Sequence, residues 1–140
     1  MIDFYYWPTP NGWKIAIALE EMGLAYNLLP INIGRGEQFE SAFSAISPSH
    51  RMPAIVDHDP GDAGDPLCLA ESGAILLYLA DKTDRFLPST PRSRHQAIQW
   101  LMWQMSQLGP MLGQNGHFSL YATETIPYAI ARYRHEALRL

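Results

Sequence analysis

Residues 52–81, MPAIVDHDPGDAGDPLCLAESGAILLYLAD, decide how the chain is read. Ala54-Ile55-Val56 is a short apolar run, Asp57 to Pro66 is dense in Asp, Gly and Pro, and Leu67-Cys68-Leu69 is a second apolar run. Two such runs bracketing turn-forming residues predict a hairpin. Glu71-Ser72 then opens a stretch through Asp81 in which Ala74, Ile75, Leu77, Tyr78 and Leu79 are nearly all apolar, which predicts a buried helix.

On the N-terminal side of this stretch, Ile2-Asp3-Phe4-Tyr5-Tyr6 is rich in β-formers and is stopped by Trp7-Pro8-Thr9-Pro10. From Gly12 to Met22, the residues Ile15, Ala16, Ala18, Leu19 and Met22 follow helical spacing, with Asn11 expected as N-cap and Gly23 as the stop. Tyr26 to Ile33 reads as a second strand. Gly36 to Ser47, with Phe39, Phe43 and Ile46 at helical intervals, reads as a second helix closed by Pro48. The order is therefore β-α-β-α-β-β-α.

On the C-terminal side, Phe86-Leu87-Pro88-Ser89-Thr90-Pro91 has the punctuation of a linker, and everything beyond it reads as helix. Arg92 to Leu108 carries Ile98, Leu101, Met102, Met105 and Leu108 in a stripe, Gly109-Pro110 is expected to bend or break it, and Ile126 to Leu140 is a further periodic segment. The expected division is residues 1–86 as an α/β domain and 87–140 as part of an all-α domain.

Composition narrows the function. With 140 residues, 47% of them apolar and 17% charged, the chain has the make-up of a folded globular protein. Ten Lys and Arg against fourteen Asp and Glu leave a net charge of −4, which argues against nucleic acid and anionic membrane as partners. The strongly apolar stretch Ala74 to Ala80 falls far short of the ~20 residues that a membrane crossing needs. Met1-Ile2-Asp3-Phe4 lacks the basic start and long apolar run of a secretory signal, so a cytoplasmic location is expected. Cys68 is the single cysteine, which excludes an intrachain disulfide, a CxxC pair or a four-cysteine zinc site.

Thr9-Pro10-Asn11 after the first strand, Met52-Pro53 before the third and Glu71-Ser72 opening the last helix of the α/β unit stand in an arrangement that resembles the glutathione transferase family. The run Leu108-Gly109-Pro110-Met111-Leu112-Gly113-Gln114-Asn115 is similar to its bacterial nu-class branch, whose members resemble glutathione-dependent disulfide-bond oxidoreductases. The resemblance covers essentially the whole chain. It implies a thioredoxin-like N-terminal domain followed by an all-α domain, glutathione as co-substrate, and a homodimer. Family members carry a longer helical domain, so a truncated one is expected here.

Thioredoxin-like redox proteins place a cysteine pair where strand one meets helix one, whereas this chain has Thr9-Pro10-Asn11-Gly12 there. A glutathione sulfur at that point would meet the Thr9 hydroxyl, the Asn11 amide and the positive end of the helix, all of which favour thiolate. Both residues are also suited to capping alone. Lowering a thiol pKa of ~8.5 by ~2 units raises the thiolate fraction about 25-fold at neutral pH. The weaker nucleophile gives back roughly 6–10-fold of that at a Brønsted slope of ~0.4–0.5. Positioning of two sulfurs, with effective molarities that reach ~10⁵ M, is the larger lever and favours a site that holds two glutathiones.

The resemblance also implies that Met52-Pro53 is cis, with the Met52 N–H and C=O pairing with the tripeptide as an added strand; from the residues alone an ordinary trans turn is the alternative. Glu71-Ser72 at a helix start suits the γ-glutamyl group, Ser72 and the helix N–H groups taking the carboxylate and Glu71 the ammonium; a plain helix cap is the alternative. Gln38, His50, Arg51 and Arg132 are the remaining polar candidates for an anionic ligand. Arg132 is favoured among the cations because the resemblance places its helix across the cleft from Thr9.

No metal is expected, since His50, His58, His95, His117 and His135 lack HExxH spacing, and Asp59, Asp62 and Asp65 do not follow the order of a calcium loop. Cys68, between Leu67 and Leu69, reads as an inert small hydrophobe. The expected activity is reduction of a small disulfide by bound glutathione thiolates. Conjugation of glutathione to small electrophiles and a non-enzymatic glutathione-binding module are the alternatives.

Overall fold

Alternation along Ile2-Asp3-Phe4-Tyr5-Tyr6 sends Ile2 and Phe4 to one face and Tyr5 to the other, which is how strand β1 (Ile2–Tyr6) is built in the computed structural model, where residues 1–140 are described. Helix α1 (Pro10–Met22) buries Ile15, Ala18, Leu19 and Met22, a helical stripe. Its N-cap is Thr9 and not Asn11: Thr9 Oγ1 accepts from the Gly12 N–H at 3.4 Å. Pro10 takes the first helical position, where a missing N–H costs nothing and the fixed φ suits the helix, and this moves Asn11 into the first turn. Gly12 is sterically required, because a Cβ there would overlap the Trp7 carbonyl oxygen.

Strand β2 (Tyr26–Pro30) runs parallel to β1, while β3 (Ala54–Asp57) and β4 (Leu67–Ala70) complete an antiparallel half, giving the order β2-β1-β3-β4. The second strand ends at Pro30, short of Ile33. Asn32 turns the chain there: its side chain accepts from the Gly34 N–H at 3.0 Å and its own N–H donates to Glu37 Oε2 at 2.6 Å. After a 3₁₀ turn over Ile33–Arg35, the single helix expected over Gly36–Ser47 is instead a second 3₁₀ turn, Glu37–Phe39, followed by the short helix α2 (Ser41–Ile46). Gly36 at φ 78 and Glu40 in an extended conformation at ψ 144 interrupt the helical path.

Helix α3 (Ser72–Thr83) packs with α1 on one face of the sheet, and Ile2, Phe4, Ile15, Leu19, Ile55, Ile75 and Leu79 form its core. Burying each of the larger aliphatic side chains contributes about 1.5–3 kcal/mol. On the opposite face Phe43 of α2 is buried beside Tyr5, their ring centroids 5.9 Å apart. This is the thioredoxin-like α/β arrangement.

The chain divides into two compact units, Met1–Leu87 and Pro88–Leu140. The second consists of helices α4 (Pro91–Trp103), α5 (Gly109–Gly116) and α6 (Pro127–Arg139), with π-helical turns over Gln104–Leu108 and His117–Tyr121. Of the bend or break expected at Gly109-Pro110, a break does not occur. Leu108 and Gly109 keep right-handed helical angles, and the wide turn just before Pro110 gives its ring room that a regular α-turn denies. Phe118 and Tyr133 stack with centroids 5.5 Å apart, yet none of this unit's residues is buried. No helix of the chain is long and apolar enough to cross a membrane.

Candidate functional site

The sheet register brings three separate loops to one end. Tyr5 lies opposite Ala54, and Ala54 lies opposite Ala70, so the loop after β1, the Met52-Pro53 step before β3 and Glu71-Ser72 after β4 leave the sheet together. Tyr6 lies opposite Pro30, which adds the turns over residues 33–39 to the same end. A cleft of about 420 Å³ opens there, lined by the sequence-predicted Thr9, Asn11, Gln38 and Met52. His50 and Arg51, weaker candidates from sequence, line it too, as do Ile33, Phe39 and Ser49, which sequence reasoning did not single out.

Thr9 enters the cleft already ordered. Its carbonyl accepts from Trp13 N–H at 3.0 Å and its Oγ1 is an acceptor in the cap, so the hydroxyl proton is left for another partner. Asn11 is exposed in the first turn of α1, near the positive end of the helix. The Met52-Pro53 bond is cis, and Pro53 is buried. Gln38 is half-buried, and its Oε1 is fully covered without a hydrogen-bond partner.

Glu71 and Ser72 are not among the cleft-lining residues. Glu71 is exposed at φ 70 and ψ 113, a backbone conformation that a side chain with a Cβ adopts only at an energetic cost, and such outliers concentrate at ligand clamps. Glu71 occupies the N-cap position of α3, its carbonyl accepting the Ile75 N–H at 3.0 Å, but its side chain makes no capping hydrogen bond. Ser72 is buried at the first position of α3. Lys14 was not foreseen: burial lowers its pKa, and attraction to Glu71 works in the opposite direction. Its place three residues after Asn11 on α1 was a readable signal.

Arg132 is exposed on α6, in the second unit, and is not part of the cleft's lining. Cys68 is exposed on the edge strand β4. No group of three or more His, Cys, Asp or Glu side chains converges to hold a metal ion.

Residues 1–81 match the family model described as the glutathione S-transferase N-terminal domain. The chain belongs to the glutathione S-transferase family. Among glutathione S-transferase relatives, the disulfide-bond oxidoreductase YfcG of Escherichia coli is 57% identical over 140 residues, which is 100% of this chain and 65% of YfcG. A glutathione transferase family member from Pseudomonas fluorescens, solved with two glutathione bound, superposes with a TM-score of 0.93 at 43% identity, covering 99% of this chain and 61% of that one. A glutathione transferase from Pseudomonas putida, solved with one glutathione disulfide per subunit, gives 0.94 at 42% identity, covering 99% and 60%. The chain thus spans somewhat less than two thirds of each of these glutathione S-transferase relatives. The resemblance read from Thr9-Pro10-Asn11, Met52-Pro53 and Glu71-Ser72 is borne out at the level of family and fold.

Proposed function

We propose that the cleft binds glutathione and that the protein catalyses glutathione-dependent reduction of a small disulfide. The observation that carries this reading is a redox-fold cleft lined by Thr9, Asn11, Gln38 and Met52 but by no cysteine. The sulfur chemistry must then come from the ligand. Relatives solved with two glutathiones or with glutathione disulfide support the same stoichiometry.

In the proposed reaction, Thr9 Oγ–H and the Asn11 amide donate to the sulfur of bound glutathione and favour its thiolate. That thiolate attacks one sulfur of the substrate, forming a glutathione mixed disulfide and expelling the first thiolate, which takes up a proton. A second glutathione thiolate attacks the glutathione sulfur of the mixed disulfide, forming glutathione disulfide and expelling the second thiol. Two glutathiones are oxidised for each disulfide reduced. Gln38 and the Met52 N–H and C=O hold the peptide, Glu71 pairs with the ammonium, and Ser72 with the first N–H groups of α3 takes the γ-glutamyl carboxylate. Arg132, on the second unit, is a further candidate cation for a glutathione carboxylate.

The protein is further proposed to act as a homodimer in the cytoplasm. Exposed Trp100, Met102, Leu112, Tyr128 and Leu138 in the helical unit supply apolar surface for a partner copy. The reaction consumes reduced glutathione, the thiol pool of a reducing compartment.

The test is turnover of 2-hydroxyethyl disulfide with glutathione, coupled to reduction of the glutathione disulfide formed, beside conjugation of an aryl halide. Turnover of the disulfide with little conjugation is expected. The reverse pattern assigns the conjugating alternative, and binding of glutathione without either activity assigns a binding module.

A further inference from the structure

His50 carries more structure than a surface residue in a loop needs. Its backbone sits at φ 56, in the left-handed region that His, Asn and Asp enter more readily than most residues. Its Nδ1 lies 3.2 Å from the Gln38 carbonyl oxygen and 3.1 Å from Ser44 Oγ. A carbonyl oxygen only accepts. The Ser44 hydroxyl donates its proton to the Glu40 carbonyl at 2.9 Å, so its oxygen also faces Nδ1 as an acceptor. Both neighbours therefore require the hydrogen on Nδ1, whichever charge the ring carries. The same ring packs on Phe39, with centroids 5.4 Å apart.

The Nδ1–H thus fastens the loop leading into Met52-Pro53 to a segment twelve residues earlier in the chain. Gln38 is the centre of that segment, and its uncovered need is a donor for the buried Oε1. Glu37–Phe39 is a single 3₁₀ turn with few internal hydrogen bonds of its own, Phe39 N–H to Gly36 at 2.9 Å and Glu40 N–H to Glu37 at 3.1 Å. Short 3₁₀ turns have poor hydrogen-bond geometry and little intrinsic persistence. Asn32 and Glu37 hold the start of this turn through two hydrogen bonds, and the contact on the Gln38 carbonyl adds the tie that joins it to the loop ending in Met52.

We infer that His50 is a positioning residue for glutathione: its Nδ1–H holds the Gln38 main chain, and through it the Gln38 amide, in register with Met52. The inference about the ligand rests on the glutathione reading; the latch itself does not.

Two variants separate backbone from side chain. His50→Gly keeps access to φ 56 but has no donor, whereas His50→Asn tolerates the same φ and offers an amide N–H to the Gln38 carbonyl. In His50→Gly, the Kd for glutathione measured by calorimetric titration is expected to rise about tenfold, the usual scale for one lost hydrogen bond. KM for glutathione rises with it while kcat stays within about twofold, and exchange of the Phe39 and Glu40 amides in the free protein accelerates about tenfold. His50→Asn is expected to restore all three to within about threefold of wild type. Wild-type binding in His50→Gly, or no recovery in His50→Asn, overturns the proposal. If wild-type protein does not bind glutathione, the functional reading falls and the assignment of the ligand with it. Amide exchange in the free protein then decides the latch alone: acceleration in His50→Gly reversed by Asn upholds it, and unchanged exchange overturns it.

Discussion

Tyr78 of α3 donates its hydroxyl proton across 2.6 Å to the fully buried carboxylate of Asp57 at the end of β3. The same carboxylate accepts the Asp59 backbone N–H at 3.0 Å and pairs with Lys82 Nζ at 2.9 Å. Burial by itself raises the Asp57 carboxyl, but the Tyr78, Asp59 and Lys82 donors together outweigh it and hold it below the ordinary value. Burial first, and then the Asp57 charge, push the Tyr78 hydroxyl far above its ordinary value. The contact ties a helix of the core to the sheet at the end opposite the cleft.

Because the Asp57 carboxyl is depressed in the folded state, its contribution to stability is present above the unfolded value of about 4 and is lost as pH falls below it. Tyr78 runs the other way: raised in the folded state, it contributes below the unfolded value of about 10 and loses that contribution as pH climbs further. Tyr78→Phe is expected to lower the unfolding free energy by about 1.5–3 kcal/mol at neutral pH, the range for a hydrogen bond to a charged group. Urea unfolding of wild type and variant across pH is the measurement. The gap is expected to shrink below about pH 4 and above about pH 10; a gap that ignores pH contradicts the charged partner.

Thr9 and Asn11 have separable duties at the start of α1. Thr9→Ala removes both the cap on Gly12 and the hydroxyl proton, so it is expected to cost about 0.5–2 kcal/mol of stability besides activity. Thr9→Ser keeps both groups and is expected to keep both properties. Asn11 makes no capping bond, so Asn11→Ala is expected to leave stability within about 0.5 kcal/mol while lowering kcat/KM about 10–100-fold, the scale of a lost hydrogen bond to a thiolate. Ultraviolet thiolate absorbance of bound glutathione, followed through a pH titration, checks the cause: the sulfur is expected to ionise at higher pH in each Ala variant. An Asn11→Ala protein with wild-type turnover removes Asn11 from the chemistry.

The elements that sequence reading placed well are those whose apolar spacing coincides with burial, such as Ile15, Leu19 and Met22 on α1 or Ile75 and Leu79 on α3. Spacing misled between residues 31 and 47 because Phe39 shares the helical interval of Phe43 but is 65% exposed. What shapes that segment is the Asn32–Glu37 bond and the φ of Gly36, and periodicity is blind to both. The capping error at Thr9 has a similar origin: Asn is a favoured cap, but Pro10 fixes the helix start two residues earlier than expected. The cleft residues Thr9 and Met52 were reachable through family landmarks, which also implied the cis bond, and Gln38 through an anionic ligand's need for amide or cationic donors. The φ of Glu71 and the His50 latch on Gln38 are tertiary facts that no local pattern of residue types announces.

Cys68 tests where the reacting sulfur comes from. The cleft lies at the end of the sheet where Ala70 faces Ala54, and Cys68 stands two residues back along β4, about 7 Å toward the other end at the rise of an extended strand. Glu71 lies a further step beyond Ala70, and Cys68 does not line the cleft. Cys68 is thus set apart from the Thr9 and Asn11 end of the sheet. Cys68→Ser is therefore expected to retain disulfide turnover within about twofold, since exposed substitutions away from packing and networks change stability by about 0.5 kcal/mol or less. Wild-type protein treated with iodoacetamide and freed of the reagent is expected to behave the same. Loss of turnover in the Ser variant with an unchanged melting temperature and unchanged glutathione affinity would mean that the chain contributes its own thiol, and the two-glutathione scheme would have to give way to one that forms a mixed disulfide on Cys68.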